Sequence, residues 1–235
     1  MTTARSLIFV AIFYLWSTLA AVLMAPLMLC PRRWMFAAAR LWARGVMALL
    51  RVACGIRVEV RGREHIPRGR AIVAPKHQCM FDVFAQFVWL DDCCFVMRKE
   101  LTRIPFFGWY GRKLGMIVLD REGAAAALRR LIRDARARLA DPRPLVIFPE
   151  GHRGAPGQAG AYQPGVAGLY RDLDLTTHPV ATNSGVHWPA HGFLRRPGLI
   201  VFEFLEPIAP GLKRDEFMRV LEERIEAGSQ TLLGL

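Results

Sequence analysis

A histidine stands five residues ahead of an aspartate in Lys76-His77-Gln78-Cys79-Met80-Phe81-Asp82, and this segment is the best equipped for chemistry. An imidazole held by a carboxylate through one ring nitrogen keeps the other nitrogen free to take a proton from a hydroxyl. Acyl transfer to an alcohol needs such a base, a group that orients it, and donors for the oxyanion. In one continuous helix the two side chains would point about 140° apart. They meet only if His77 occupies a turn and Asp82 the first turn of the helix that follows. Pro75 before the pair and the apolar run 81–90 after it predict that arrangement, at a strand-to-helix crossing where α/β proteins place ligands. The plain structural alternatives are a helix-capping histidine and a helix carboxylate favoured by the macrodipole. Between the two, Cys79 offers a thiol that His77 would activate as a nucleophile.

The elements that must position this pair are legible in the hydrophobic pattern. Short β-rich runs at 56–60, 71–74, 93–97, 116–119, 145–148, 179–181 and 199–205 read as strands. Between the fourth and fifth, Leu128, Leu131, Ile132, Ala135 and Leu139 recur at helical spacing with arginines on the opposite face. A last amphipathic helix is expected over 214–226. Such alternation predicts an α/β fold with a mixed, largely parallel central sheet flanked by helices. Residues 154–160, rich in Gly and Ala, read as a loop, and no internal repeat is present.

The N-terminus is of a different kind. Residues 7–29 carry no charged side chain, and at helical rise the run reaches roughly 34 Å, enough for a hydrocarbon core of about 30 Å. It is too long for a signal-peptide core of about 7–15 residues. The first 58 residues hold seven arginines and no acid, Glu59 being the first. Arg33, Arg40, Arg44 and Arg51 fall within roughly 60° of arc, beside Trp34, Phe36, Trp42 and Val46. This describes an in-plane helix with its apolar side in the acyl boundary and its arginines among lipid phosphates; the other reading is an amphipathic helix packed on its own domain. The expected organisation is a two-helix membrane anchor over 1–55 and an α/β domain over 56–235. A net charge of +12, with 32 Lys and Arg against 20 acids, fits nucleic acid or an anionic membrane equally. The apolar run decides for the membrane, and no nucleic acid is expected. If the first helix spans, the arginines after it place the remainder in the cytoplasm. Five cysteines without C-x-x-C spacing predict neither a disulfide framework nor a zinc site.

The H-x-x-x-x-D segment resembles the first signature of the glycerolipid acyltransferases, in particular the lysophosphatidic acid (1-acylglycerol-3-phosphate) acyltransferase family. Three further segments arrive in that family's order. Arg98-Lys99-Glu100-Leu101 and Ile104-Pro105-Phe106-Phe107-Gly108-Trp109 lead into Gly115-Met116-Ile117-Val118-Leu119-Asp120-Arg121, similar to the second block. Phe148-Pro149-Glu150-Gly151-His152-Arg153 resembles the third, and His178-Pro179-Val180-Ala181 with Asn183-Ser184-Gly185 the fourth. The likeness covers about residues 56–206. It implies His77 as general base, Asp82 as its orienting partner, Arg121 and Arg153 on the acceptor phosphate, and Glu150 and Gly151 shaping the same pocket. It further implies direct attack of the acceptor hydroxyl on a thioester, with no metal, no cofactor and no acyl-enzyme. Acyl-CoA or acyl carrier protein would be the co-substrate, a lysophospholipid the acceptor, phosphatidic acid the product, and the inner membrane the location. This sequence departs from the pattern at His152, where Thr or Ser is usual, at Cys79, where Ser is common, and at Gln163, in place of a Lys. The last departure keeps another lysolipid acceptor open, such as a lyso-ornithine lipid. A membrane-tethered lipid-binding protein without activity is the alternative from another class.

Overall fold

The computed structural model describes residues 2–120 and 123–234. Seven strands form one sheet: β1 Ile56–Arg61, β2 Ala71–Pro75, β3 Cys94–Arg98, β4 Ile117–Leu119, β5 Pro144–Val146, β6 Thr177–Thr182 and β7 Gly198–Phe204, in the order β1-β7-β6-β2-β5-β3-β4. Every neighbouring pair is parallel except β6 with β7. The expected mixed, largely parallel sheet is thus present. All five residues of β2 are buried, as a central parallel strand covered on both faces must be. β2 pairs with β5 through Ile72 and Leu145, and with β6 through Ala74 and Pro179. The first residue past its end, Lys76, still donates its backbone N–H to Val180 O at 2.8 Å.

The helices are α1 Thr2–Met24, α2 Arg32–Leu49, α3 Phe81–Trp89, α4 Phe107–Lys113, α5 Ala124–Arg138, α6 Pro164–Leu173, α7 Ser184–His187 and α8 Arg214–Leu233. α8 runs well beyond the expected end at residue 226, because Leu221, Ile225 and Ser229 continue its buried stripe. α1 gives way at Ala25 to a short 3-10 turn holding Pro26, where the missing N–H and fixed φ stop an α-helix.

The second helix does not lie as an in-plane lipid helix would. Its apolar stripe, Met35, Phe36, Ala39, Ala43 and Val46, is buried against the protein's own core. Arg40, expected among lipid phosphates, instead donates to Phe87 O at 3.0 Å and Leu90 O at 2.8 Å, and pairs with Asp91 at 2.6 Å. These carbonyls end α3, where a cation is favoured by the helix dipole. Arg33, Arg44 and Arg51 are exposed, beside exposed Trp34 and Leu41. α1 is held along one edge as well. Phe9 meets Trp188 edge-on at 5.4 Å, Ser6 Oγ accepts the Arg195 N–H at 2.9 Å, and Trp16 covers Gly45 so closely that a Cβ there would lie 2.7 Å from the indole. The boundary at residue 55 therefore divides elements but not cores, since Phe9 and Met35 join the cluster that contains Ile72 and Val146. Phe13 and Ala20 are buried along the same edge, and the opposite side of α1, including Leu7, Ile8, Leu15, Leu19 and Leu23, is exposed.

Candidate active site

His77 sits in the turn between β2 and α3, and Asp82 in the first turn of α3, as the spacing predicts. His77 Nδ1 lies 3.1 Å from Asp82 Oδ2. The same oxygen accepts the backbone N–H of Gln78 at 2.6 Å and of Cys79 at 2.7 Å, and Oδ1 accepts the Ser184 hydroxyl and, at 3.5 Å, the Cys79 thiol. The Asp82 side chain is fully buried. An uncompensated carboxylate there would cost several kcal/mol; this set of donors offsets that cost and holds the side chain still. With Asp82 acting as acceptor, Nδ1 carries the proton and Nε2 presents a lone pair. No partner engages Nε2 among the described residues, and the His77 side chain is 15% exposed. Phe148 packs against the imidazole with ring centroids 4.3 Å apart and planes at 31°, holding its tilt. Phe148 was expected inside the fifth strand; β5 ends at Val146, which frees this side chain to reach His77.

Cys79 does not fit a nucleophile. Its thiol is fully buried, and burial followed by the neighbouring Asp82 charge pushes its pKa well above the ordinary value. A thiol held protonated is a poor nucleophile, and here it is a donor to Asp82. Cys79→Ser is expected to keep kcat within a factor of about three, since the hydroxyl preserves that donor. Intact mass after incubation with the acyl donor should show no covalent adduct. An inactive variant, or an acylated wild-type protein, would restore the covalent route.

The third block divides. Arg153 is exposed, with Nη1 donating to Ala190 O at 3.1 Å, and it makes no ion pair with a described residue. Gly151 turns the chain with φ of 68°, a left-handed value that suits glycine. Glu150, expected beside the acceptor, turns into the protein. It is fully buried, pairs with Lys76 Nζ at 3.1 Å through Oε2, and accepts the His77 backbone N–H at 3.2 Å through Oε1. Both its oxygens are engaged inside the protein, leaving none to face an acceptor. Arg121 lies outside the described residues. His152 and Gln163 are exposed. The fourth block closes on the first: besides the Ser184 contact, Gly185 N donates to Gln78 Oε1 at 2.9 Å. Ser184 is a site residue whose role the spacing did not reveal, since only its place in the fourth block marked it. Lys76 and Glu226 left no comparable mark.

Comparison with known proteins gives the family. The acyltransferase family model matches residues 57–183. The 1-acyl-sn-glycerol-3-phosphate acyltransferase of Pseudomonas aeruginosa is 34% identical over 187 residues, covering 80% of this chain and 72% of that protein. The lyso-ornithine lipid O-acyltransferase of Rhodobacter capsulatus is 31% identical over 112 residues, covering 44% of this chain and 38% of its own. In fold, the crystal structure of the 1-acyl-sn-glycerophosphate acyltransferase of Thermotoga maritima superposes with a TM-score of 0.84 at 23% identity, over 100% of this chain and 99% of that one. By the family model and the Pseudomonas relative together, the chain belongs to the acyltransferase family, in its 1-acyl-sn-glycerol-3-phosphate acyltransferase group, and is an O-acyltransferase.

Proposed function

We propose that this enzyme acylates the free hydroxyl of 1-acyl-glycerol-3-phosphate at a membrane surface, with His77 as general base. The observation that carries the reading is the imidazole tethered through Nδ1 to a buried carboxylate while Nε2 stays open. Nε2 takes the proton as the acceptor oxygen attacks the thioester carbon. The tetrahedral intermediate then expels the thiolate, breaking the C–S bond, and the imidazolium returns its proton to the leaving sulfur. The products are a diacyl lipid, here phosphatidic acid, and the free thiol of coenzyme A or acyl carrier protein. Asp82 balances the charge that His77 gains in between. Arg153, with Arg121, binds the acceptor phosphate; guanidinium suits that group bidentately.

Acceptor and product both reside in a bilayer, so the enzyme must meet one. The exposed apolar length of α1 supports attachment there, as do Ile104, Phe107 and Trp109, exposed around α4. Tyr110 of the same helix donates its hydroxyl to Ala21 O on α1, which joins the two apolar patches. The catalytic domain faces the cytoplasm, where activated acyl thioesters are made.

The test is purified enzyme in detergent against a panel of lysolipids, with acyl-CoA and acyl carrier protein as donors. Lysophosphatidic acid should be preferred, and Arg153→Gln should raise its KM roughly 10-fold or more, as loss of a charged hydrogen bond does, while the donor KM holds. A preference for lyso-ornithine lipid, indifferent to Arg153→Gln, would reassign the acceptor in line with Gln163 and the Rhodobacter relative. No transfer to any acceptor would refute the reading.

A further inference from the structure

The turn that carries His77 rests on a buried ionic cluster for which the reaction as written has no use. Lys76, directly before His77, is 1% exposed, Glu150 is fully buried, and the Glu226 side chain on α8 is 14% exposed. The Lys76 ammonium lies 3.1 Å from Glu150 Oε2, 2.7 and 2.9 Å from the two Glu226 oxygens, and 2.9 Å from Gln158 O. Tyr162 donates to Glu226 Oε1 at 2.9 Å, and burial with the nearby carboxylates pushes its phenol up, so it stays a donor. The fit around Glu150 is close: a Cβ at Gly160 would lie 2.5 Å from Oε2.

Stability alone gives little reason for three charges in such a place. Replacing a buried ion cluster with apolar side chains of similar volume is often neutral or favourable. What the cluster does do is fix the main chain of His77 at its N–H, while the Gly154 backbone holds the carbonyl beside it. Glu150 Oε1 accepts the His77 N–H at 3.2 Å, and Gly154 N–H donates to the His77 carbonyl at 2.8 Å. Lys76 then holds Glu150 at its other oxygen, and Glu226 holds Lys76. The chain of contacts runs from the C-terminal helix to the base across 150 residues of sequence.

We propose that Lys76, Glu150 and Glu226 are positioning residues, a strut from α8 that sets the His77 backbone, and that Glu150 acts through His77 rather than on the acceptor. The proposal presupposes His77 as the base, as above. A displacement of the base by about 1 Å is enough to cost on the order of 100-fold in rate.

Glu226→Gln, Glu150→Gln and Lys76→Met are compared with wild type for kcat, both KM values and thermal midpoint. The strut predicts a kcat loss of about 10- to 100-fold in each folded variant, with both KM values unchanged. Ile225→Val, trimming a buried side chain on the same helix, controls for stability; it should lower the midpoint and leave kcat alone. Should Lys76→Met fail to fold, the partly exposed Glu226→Gln decides. Wild-type kcat in folded Glu226→Gln and Glu150→Gln would overturn the strut. So would a raised acceptor KM with kcat kept in Glu150→Gln, or an equal kcat loss in Ile225→Val. His77→Ala is run alongside: full activity in that variant removes the base itself, whereas an inactive His77→Ala beside unaffected strut variants removes only the strut.

Discussion

His77→Ala is expected to leave a folded, membrane-bound protein whose kcat has fallen by about 10³-fold, within the range that a positioned general base contributes. The loss follows from geometry. No other histidine joins the Asp82 network, whose remaining donors are Gln78 N, Cys79 N, Cys79 Sγ and Ser184 Oγ. Those donors stay in place without the imidazole, so Asp82 remains satisfied and the turn should persist. The cost to folding is one hydrogen bond and the packing on Phe148, on the order of 1–2 kcal/mol. Steady-state rates with lysophosphatidic acid, paired with a thermal melt and a vesicle flotation assay, check it. Normal turnover in a folded variant would end the role given to His77.

Asp82→Asn should come second in effect, with kcat lowered between about 10²- and 10⁴-fold and KM little changed. Three donors converge on Oδ2, namely His77 Nδ1, Gln78 N and Cys79 N. The amide oxygen of Asn will take that side, and its NH₂ group will face Ser184, whose hydroxyl can turn to accept. Shape and tautomer survive, but the negative charge that stabilises the imidazolium in the transition state does not. His77 and Asp82 act as one unit, so the double variant His77→Ala/Asp82→Asn should be no slower than His77→Ala alone. Fully additive losses would show that Asp82 serves catalysis by some route other than the imidazole.

Seven strands and the histidine turn were readable along the chain because each depends on residues close together in sequence. Alternating and continuous apolar runs mark strands by their own period, and Pro75 followed by the 81–90 run marks the turn where five-residue spacing becomes contact. The strands moved by no more than about two residues at either end, and the last helix ran on to Leu233, differences that side-chain packing sets.

Other features were decided by tertiary structure alone. A helix with one apolar face is written the same way whether lipid or protein covers that face; it took the packing of Phe36 and Val46 into the core, and Arg40 on the carbonyls of α3, to assign α2 to the protein. Glu150 is likewise the same residue in sequence whether it faces an acceptor or a buried lysine. Its inward turn depends on Lys76 and Glu226, separated from each other by 150 residues and brought together by the crossing of α8 over the sheet. Ser184 reaches Asp82 across 102 residues for the same reason: β6 lies parallel beside β2, so the ends of both strands open at one edge. Local spacing specified the meeting of His77 with Asp82, and strand order, which no local pattern encodes, specified what holds the two.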